Sequence, residues 1–414
     1  MDFTPQDSDF FKFIDSNSHS DISEMRLKYH GKDLNFNLSL ALLQIECRKK
    51  CNSKLKMFIA NGKTLFPSLV ASEQASHEAV ASFHASVASG NKTILDMTAG
   101  LGIDSFAFAS VAEEVVSCEI DIDKASMLEY NIRTLGINNI NVRCIDSLDY
   151  ISKDDRRFDM IFVDPARRGL QNSRVYNFRD CQPDIISEMR MLLSKAKTVM
   201  IKASPLLDIS QTLRDIPYVR TIRAISVKGE CKEILIEASF CDKAKAVDSI
   251  TAEAIDLNND GSINSRFTFI KNLTDNDVSA YPGNSPKVIY ATTRDLIPGK
   301  YLYEPNASMI KLAPCHELCG HYPSLKKAAA SSHLFVSDSI IPDFPGRSLV
   351  ITEIPDKKRL KSLKGHHINV STRNYPLPAS DLRKKLGVLE GDDIFLYATR
   401  LSADQPITLL AKKI

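Results

Sequence analysis

Residues 93–104 read Thr-Ile-Leu-Asp-Met-Thr-Ala-Gly-Leu-Gly-Ile-Asp, and this segment is the strongest indicator of the fold. A short apolar run ends in Asp96 and breaks into a turn at Gly100 and Gly102, and helix-like sequence follows from Ser105. This order predicts a buried strand, a glycine turn and a helix. Glycines in such a turn let backbone N–H groups approach a ligand without interference from Cβ atoms.

Three more short apolar runs follow the first, and each also ends in an acid. Residues 115–118 lead into Glu119, residues 141–145 into Asp146, and residues 159–163 into Asp164, which is followed by Pro-Ala-Arg-Arg. In an open parallel sheet the carboxyl ends of the strands share one edge, and ligands bind beside that edge. The sequence therefore predicts four carboxylates along a single binding crevice.

A dinucleotide-dependent dehydrogenase is the first alternative, because it also combines a glycine turn with a later acid. Its G-x-G-x-x-G pattern requires glycine or alanine three residues after the second glycine. Counted from Gly102, that position is Ser105, and no run suited to a pyrophosphate is present. The dehydrogenase is therefore disfavoured.

Length and composition are those of a globular protein with two or three domains. The chain has 414 residues, of which 43% are hydrophobic and 25% charged. No apolar stretch approaches the roughly 18 residues of a membrane span, and the amino terminus has no basic-then-apolar signal. Nine scattered cysteines, with Cys118 and Cys144 inside predicted strands, favour buried thiols in a reducing compartment. We expect a cytoplasmic protein without membrane contact.

Positive charge is concentrated near the carboxyl end. From Ser331 onward there are thirteen Lys or Arg against nine Asp or Glu, an excess of four in a chain of net charge +2, so the remainder carries −2. Most of the excess lies within 357–364 and 383–385. Such runs form either a solvated face or a surface for a polyanion.

The pattern along the chain predicts four regions. Alternating strands and helices indicate a doubly wound sheet with its last strand, 233–238, antiparallel. A helix capped by Ser72 is expected to cover that sheet, and residues 342–346 are expected to form a linker. The regions are an N-terminal helical region (1–70), a catalytic α/β domain (71–242), an α+β unit (243–345) and a compact α+β module (346–414).

Several segments together resemble a known family. They include residues 43–50, 72–76, the glycine turn, 164–168, 202–208, 230–233, 303–306 and 344–347. With them the chain resembles a bacterial family of class I S-adenosylmethionine-dependent methyltransferases that has a THUMP-like carboxyl-terminal domain. The resemblance implies a Rossmann-like seven-stranded sheet, a ferredoxin-like middle unit and a THUMP-like tail. Because THUMP domains act on RNA, it also implies a structured RNA substrate such as tRNA or rRNA.

The resemblance assigns cofactor contacts to the strand-end acids. Asp96 would meet the ammonium group of S-adenosylmethionine, directly or through water, and Glu119 would accept from both ribose hydroxyls. Asp146, with Ser147 after it, would accept from the adenine amino group. Further cofactor contacts are expected at Thr98, Gly100, Gly102, Asp104 and Ile120.

Asp164-Pro165-Ala166-Arg167 is similar to the Asp-Pro-Pro-aromatic motif of amino-group methyltransferases. There the acid and a proline carbonyl accept hydrogen bonds from the target amino group, which aims its lone pair at the methyl group. Arg167 stands where the aromatic ring is expected, and a guanidinium can stack on a base or bind a phosphate. An ion pair with a neighbouring domain is the alternative for both arginines. Candidate substrate contacts are Arg168, Lys202, Tyr176 and Phe178.

Other functions remain open at this stage. Uracil C5 methyltransferases share an Asp-Pro-Pro-Arg motif but need a nucleophilic cysteine after the fifth strand, where residues 201–205 contain none. Cys315, His316, Cys319 and His321 suggest a zinc site, yet no second ligand pair accompanies them, so no metal is predicted. The remaining alternatives are a methyltransferase acting on a small molecule or protein and a non-catalytic RNA-binding protein. The sequence does not specify the oligomeric state.

Overall fold

The computed structural model describes residues 8–167, 178–240, 249–273, 287–391, 393–401 and 405–414. They fold into two compact units. The first is drawn from residues 1–228, 232–250 and 257–264, and the second from residues 229–231, 251–256 and 265–414. None of the described helices is both long and apolar enough to cross a lipid bilayer.

The amino-terminal region is helical, as the sequence predicts. The Asn37 side chain caps the third helix by accepting from the N–H of Leu40 at 3.0 Å, which satisfies one of the free donors at a helix start. Ile45 of that helix packs with Phe10 and Ile14 of the first. The helices are α1 (Ser8–Ser16), α2 (Ile22–Tyr29), α3 (Leu38–Cys51), α4 (Lys56–Ala60), α5 (Leu69–Gln74) and α6 (Glu78–Ala88).

The expected helix start at Ser72 is wrong. Ser72 lies inside α5, where its hydroxyl donates to the carbonyl of Leu69 at 2.6 Å, one turn back in the chain. Ser68 caps α5 instead, and the covering helix α6 begins only at Glu78, capped by His77. Two short helices therefore replace one long one, and the loop between them carries Ser76.

The first unit contains the predicted doubly wound sheet. Its strands pair in the order β8-β9-β7-β4-β1-β2-β3. The pairs β4–β1, β1–β2, β2–β3 and β7–β4 are parallel, whereas β9 is antiparallel to β7, which confirms the predicted direction of the last strand. The strands are β1 (Thr93–Asp96), β2 (Glu114–Cys118), β3 (Ile140–Arg143), β4 (Phe158–Val163), β5 (Ala166–Arg167), β6 (Cys181–Gln182), β7 (Ala196–Ala203), β8 (Val219–Val227) and β9 (Glu230–Ala238), of which β5 and β6 form a separate pair.

Helices connect these strands. Asp121 caps the helix after β2 by accepting from the N–H of Asp123 at 3.0 Å, and Gly136 ends that helix with a left-handed backbone at φ +69°. The helices are α7 (Ile103–Ala109), α8 (Ile122–Leu135), α9 (Ser147–Lys153), α10 (Ile185–Lys195) and α11 (Ile209–Asp215), with a 3-10 turn at Phe178–Asp180.

The described sheet has nine strands rather than the expected seven. β10 (Ser249–Leu257) and β11 (Ile263–Asn272) extend it beyond β8 in the order β11-β10-β8. A turn at residues 258–261 joins them, with the N–H of Gly261 donating to the carbonyl of Asn258 at 3.1 Å. Apolar and mostly small residues at alternate positions, Ile250, Ala252 and Ala254, are buried. This period of two is weak in a polar segment, and for that reason the two strands were not predicted.

The second unit has one seven-stranded sheet, in the order β13-β14-β12-β15-β18-β17-β16. The expected linker ends earlier than predicted, because Gly346 already belongs to β15 and pairs with Pro305 of β12. A Cβ atom on Gly346 would lie 2.2 Å from the carbonyl oxygen of Glu304, so only glycine fits. The elements are β12 (Tyr301–Pro305), α12 (Ala307–Leu312), α13 (Cys315–His321), β13 (Lys326–Lys327), β14 (Phe335–Ser337), β15 (Gly346–Glu353), α14 (Lys357–Ser362), β16 (Asn369–Thr372), α15 (Ala379–Leu386), β17 (Ile394–Arg400) and β18 (Pro406–Lys413). The four domain limits stay a prediction.

Candidate active site

The glycine turn lies between β1 and α7 and needs both of its glycines. Gly100 and Gly102 have φ +54° and +89°, in the left-handed region that favours glycine. A Cβ atom on Gly102 would lie 2.3 Å from Cδ1 of the buried Leu128, which shows how tightly the turn packs on α8. Beside Gly100, by contrast, the space is open, so a ligand can approach its backbone.

Asp96 ends β1 and organises this turn. The side chain is only 1% exposed. Its Oδ1 atom accepts from the N–H of Thr98 at 3.0 Å, and its Oδ2 atom accepts from Ser105 Oγ at 2.5 Å. Burial raises the pKa of Asp96 to about 7. A direct contact with a cofactor ammonium group, one of the two predicted modes, would need this carboxylate to become accessible. In this structure it holds the loop that forms the crevice.

Glu119 follows β2 and faces the glycine turn. Its Oε2 atom accepts from the N–H of Gly100 at 3.0 Å, and its Oε1 atom accepts from the N–H of Asp121 at 2.9 Å. The neighbouring Ile120 is 68% exposed, so its side chain is accessible to a ligand. Both positions suit a ligand with hydroxyl groups and an aromatic ring.

Asp146 follows β3 at the next position along the sheet edge. Its Oδ1 atom caps α9 by accepting from the N–H of Leu148 at 2.8 Å and from that of Asp149 at 3.3 Å. Ser147 begins α9 and is buried. The predicted hydrogen bond from an adenine amino group would therefore fall on a carboxylate that already has a structural role.

Asp164 follows β4, the strand on the other side of β1. Its N–H donates to Thr98 Oγ1 at 2.7 Å, so the glycine turn contacts residues that follow β2 and β4 as well as β1. The Asp164 side chain is 40% exposed, and Pro165 after it is buried. Burial of its surroundings raises the pKa of the Asp164 carboxyl, opposed by the nearby Lys202 ammonium group.

Of the other predicted contacts to the substrate, Lys202 aside, only the backbone of Arg167 and the residue Phe178 are described by the structure. The backbone of Arg167 belongs to β5 and pairs with Cys181. Arg168, Tyr176 and the Arg167 side chain lie outside the described residues. Phe178 is described and is 1% exposed, so in this structure its ring is enclosed by protein and cannot stack on a base.

Lys202 and Asp104 belong to a buried polar network that the sequence did not predict. Lys202, near the carboxyl end of β7, donates from Nζ to Asp164 Oδ2 at 2.5 Å and to Ser76 Oγ at 2.9 Å. Ser76 Oγ in turn donates to Asp104 Oδ2. The other Asp104 oxygen lies 2.8 Å from His84 Nδ1, and His84 Nε2 lies 2.5 Å from Glu233 Oε1. Asp104 therefore faces this network rather than an open cofactor crevice.

The charges in the network stabilise one another. Burial alone would lower the pKa of His84, but the Glu233 and Asp104 carboxylates raise it to about 10, so the ring is a cation at neutral pH. Burial would raise the pKa of Asp104, but the hydrogen bond from His84 lowers it overall. Burial would also lower the pKa of Lys202, and the carboxylates of Asp164, Asp104 and Glu233 outweigh that effect and raise it.

Sequence reasoning missed Ser76, His84 and Glu233 for an identifiable reason. Ser76 and Glu233 lie in two of the segments that carry the family resemblance, but the sequence assigned no chemical role to either residue. His84 stands between the core residues Phe83 and Ala85 of α6 and looks like part of the apolar stripe. A fully buried histidine becomes informative only when its two partners, from α7 and β9, are known.

The residues at this sheet edge fit S-adenosylmethionine. A cationic ligand suits an edge at which four strands end in carboxylates, and the open space at Gly100 admits a ligand to the backbone. Glu119 accepts from two backbone N–H groups, which holds its carboxylate beside that space. No group of three His, Cys, Asp or Glu side chains placed to bind a metal ion occurs within the described ranges.

Three family models match the chain. An RNA cap guanine-N2 methyltransferase family matches residues 91–238, a ferredoxin-like domain matches residues 301–345, and a THUMP domain-like family matches residues 346–413. The first match includes the strands β1 to β9 and every site residue described above except Ser76 and His84. The expected methyltransferase fold and the two expected carboxyl-terminal domain types are confirmed.

A solved structure has the same architecture over the whole chain. It is a protein of Porphyromonas gingivalis W83 that is named as a methyltransferase, with 25% sequence identity and a TM-score of 0.79. The alignment covers 99% of this chain and 100% of that one.

Curated relatives match only part of the chain. A ribosomal RNA small subunit methyltransferase J of Francisella tularensis is 35% identical over 21% of this chain and 44% of its own length. A 23S rRNA (uracil(747)-C(5))-methyltransferase of Vibrio vulnificus is 32% identical over 18% of this chain and 20% of its own length. The chain thus spans less than half the length of the curated relatives that it matches.

Proposed function

We propose that this chain, which is a class I methyltransferase with ferredoxin-like and THUMP-like domains, uses S-adenosylmethionine to methylate a base nitrogen of RNA. The proposal rests on the hydrogen bonds and the exposure of the Asp164 carboxylate. Oδ2 of this side chain is held by Lys202, while Oδ1 accepts no hydrogen bond from any residue that the structure describes. With 40% of the side chain exposed, one carboxylate oxygen is available to a substrate donor.

The cofactor would be held by residues of the sheet edge. Glu119 would accept from the ribose hydroxyls, Asp146 and Ser147 would contact the adenine amino group, and Ile120 would pack on the adenine ring. Charge-assisted hydrogen bonds of this kind contribute about 1.5–3 kcal/mol each. When bound, S-adenosylmethionine supplies a methyl group on a positively charged sulfur, and the surrounding carboxylates favour that charge.

Asp164 would orient the nucleophile. An amino group of the base would donate one N–H to Asp164 Oδ1 and the other to the Pro165 carbonyl, which leaves the nitrogen lone pair free to point at the methyl group. Orientation of two reacting groups can supply several kcal/mol of the barrier reduction. When the nitrogen gains the methyl group it must lose one proton, which Asp164 would accept.

An exocyclic amino group is the target that fits Asp164 best. Such a group has two N–H donors for the two acceptors, whereas an unprotonated ring nitrogen has none. The matched family description names guanine N2, which is an exocyclic amine. We therefore propose guanine N2 as the methylated atom, in a structured RNA such as rRNA or tRNA.

Methylation of uracil C5, the reaction named for one of the curated relatives, does not suit this chain. Activation of an unreactive ring carbon requires a covalent nucleophile. β7 ends at Ala203, and residues 201–205 read Ile-Lys-Ala-Ser-Pro, without cysteine. Near the end of that strand lies Lys202, whose ammonium group donates a hydrogen bond to Asp164.

The experiment that tests the proposal compares Asp164→Asn with the wild-type protein. This substitution keeps the size of the side chain but replaces one acceptor oxygen by a donor, and the amide cannot take a proton. We expect cofactor affinity within about twofold of wild type, and methyl transfer lower by on the order of a hundredfold or more. Transfer of label from radiolabelled S-adenosylmethionine to RNA of cells that lack the enzyme measures the second quantity. Calorimetric titration measures the first.

Two results would contradict the proposal. Retained turnover in Asp164→Asn would remove Asp164 from the mechanism. Label that remains with small molecules or protein, and never with RNA, would remove RNA as the substrate. Digestion of the labelled RNA to nucleosides then identifies the modified atom, and N2-methylguanosine is the expected product.

A further inference from the structure

We propose that Lys202 is a positioning residue for Asp164, and that Ser76, Asp104, His84 and Glu233 form the buried anchor that holds Lys202 in place. This inference rests on the proposed role of Asp164. It gives that role a physical cause, because Lys202 determines both which oxygen of the acid is free and in which charge state the acid remains.

The sheet register brings Lys202 and Asp164 together. β4 and β7 are parallel neighbours, with Val163 opposite Ile201, so the residues that follow this pair lie side by side at the same edge. Lys202 Nζ reaches Asp164 Oδ2 at 2.5 Å and is 13% exposed, so little water competes for the contact. The ammonium group thus donates a hydrogen bond to Asp164 Oδ2 and leaves Oδ1 available to a substrate donor.

The anchor fixes the ammonium group from the opposite side. Lys202 Nζ also donates to Ser76 Oγ at 2.9 Å, and Ser76 donates onward to Asp104 at the start of α7. His84, which is 0% exposed, joins Asp104 to Glu233 of β9. Lys202 donates to both Asp164 and Ser76. If its ammonium group turned toward solvent, both hydrogen bonds would be lost and buried polar groups would be left unpaired, which costs free energy.

The balance of charge explains why Asp164 needs this neighbour. Among the described residues, the hydrogen bonds given above connect three carboxylates, Asp164, Asp104 and Glu233, with two cations, Lys202 and His84. Without Lys202, Asp164 would lose the cation that lies 2.5 Å from its carboxylate, whereas Asp104 and Glu233 would keep their contacts with His84. The pKa of Asp164 would therefore rise. A protonated Asp164 would donate a hydrogen bond where the substrate amino group requires an acceptor.

Charged groups on the neighbouring elements act on the same pair. Asp96, at the end of β1, is a further acid beside Asp164. Lys54, in the loop after α3, is close enough to Lys202 for the two cations to repel each other, and its N–H groups donate to the carbonyls of Ser72 and Glu73. These groups are present in all variants below, so they cancel in the comparison.

The test is the pH dependence of methyl transfer in Lys202→Met and Lys202→Arg. For an acid whose ionised form is active, activity is lost as pH falls through its pKa. Removing the nearby cation raises that pKa, so the acid limb of the profile should move to higher pH in Lys202→Met by about one unit or more, equivalent to roughly tenfold lower transfer on that limb. Lys202→Arg keeps the charge and should keep a limb close to that of wild type.

The assay uses the full-length protein, radiolabelled S-adenosylmethionine and total RNA from cells that lack the enzyme, at saturating cofactor. Cofactor affinity and the thermal unfolding midpoint are measured for each variant. If Lys202→Met does not fold, Ser76→Ala replaces it, because loss of the Ser76 hydrogen bond lets the Lys202 ammonium group move away from Asp164 and so raises the pKa of that acid in the same direction, by a smaller amount. A limb shifted to higher pH supports the inference in either variant.

An unshifted limb, or a uniform loss of activity at all pH values, would overturn the inference, because a merely structural lysine would produce one of these results. The outcome is separable from the proposed function. If Asp164→Asn is inactive and Lys202→Met has a wild-type profile, only the role of Lys202 is wrong. If Asp164→Asn remains active, the proposed function itself fails.

Discussion

Two carboxylates that look alike in the sequence differ in the structure. Asp96 and Glu119 each end a strand run before a turn, and both were assigned to the cofactor. Asp96 is enclosed and binds Thr98 and Ser105, whereas Glu119 lies beside the open glycine turn. Both carboxylates accept two hydrogen bonds, but Glu119 contacts Gly100, beside which the space is open to a ligand. We therefore expect Glu119 to account for more of the cofactor affinity.

The role of Glu119 can be tested through the affinity for the cofactor. Glu119→Ala should weaken the binding of S-adenosylmethionine by one to two orders of magnitude, or about 1.4–2.8 kcal/mol, because the ribose hydroxyls lose their acceptor. Calorimetric titration measures the affinity. Glu113→Ala is the matched control, since that side chain is exposed and pairs only with Lys92 among the described residues. Equal affinities in the two variants would remove Glu119 from the cofactor site.

At the scale of elements, the junction of β1 and α7 is the most constrained part of the site. The turn must reverse direction within six residues, contact residues that follow β2 and β4, and start α7 so that Asp104 faces His84. Its two glycines share the left-handed backbone but not the surroundings. Replacing each glycine by alanine therefore separates the energetic cost of the positive φ, which both positions share, from the cost of steric overlap, which only Gly102 has.

Gly102→Ala should destabilise the protein more than Gly100→Ala. Both variants place alanine at a positive φ, which costs about 1–2 kcal/mol. Only the Cβ atom at position 102 also meets Leu128 and Phe106, at 2.3 and 2.9 Å, and such overpacking costs about 1–3 kcal/mol more. Urea unfolding of both variants measures the difference. Equal midpoints would show that the core around Leu128 can relax.

In the molecule as a whole, the basic excess near the carboxyl end and the acids of the candidate active site belong to different units. The helices α14 and α15 carry most of the basic excess, and their carboxyl ends meet where the N–H of Gly365 donates to Gly387 at 2.8 Å. Arg359 pairs with Glu353 and Arg383 with Glu390. Most lysines of the two helices are exposed, which suits a surface for the RNA backbone.

RNA affinity should therefore depend steeply on salt. With total transfer RNA as the probe, replacing Lys357, Lys358 and Lys361 together by glutamine should lower the slope of log affinity against log salt by about two, since each lost phosphate contact contributes roughly 0.7–0.9. Filter binding at several salt concentrations measures the slope. The same change at Lys28, Lys32 and Lys92 is the control. A slope that is small in the wild-type protein would favour a small-molecule substrate.

Local sequence patterns were sufficient to predict several elements of this protein. Apolar runs with terminal acids predicted β1 to β4 and the glycine turn. A buried strand followed by a turn can be recognised within about ten neighbouring residues, because a short apolar run is followed directly by glycine and polar residues. Strand–helix alternation predicted the parallel sheet and its antiparallel last strand. The tail module was predicted for the same reason. β10 and β11 were missed, since their small alternating residues give little hydrophobic contrast.

Which acids are accessible and which are enclosed depends on how the helices and the sheet pack together. Asp96 and Asp104 looked like cofactor ligands, yet their partners, Ser105 and His84, are reached through packing of α7 against the sheet and α6. Glu233 is 149 positions after His84 in the chain, and no local pattern specifies a contact between them. Hydrogen bonds between distant segments depend on how the elements pack, and for that reason the charge network around Lys202 became visible only in the folded chain.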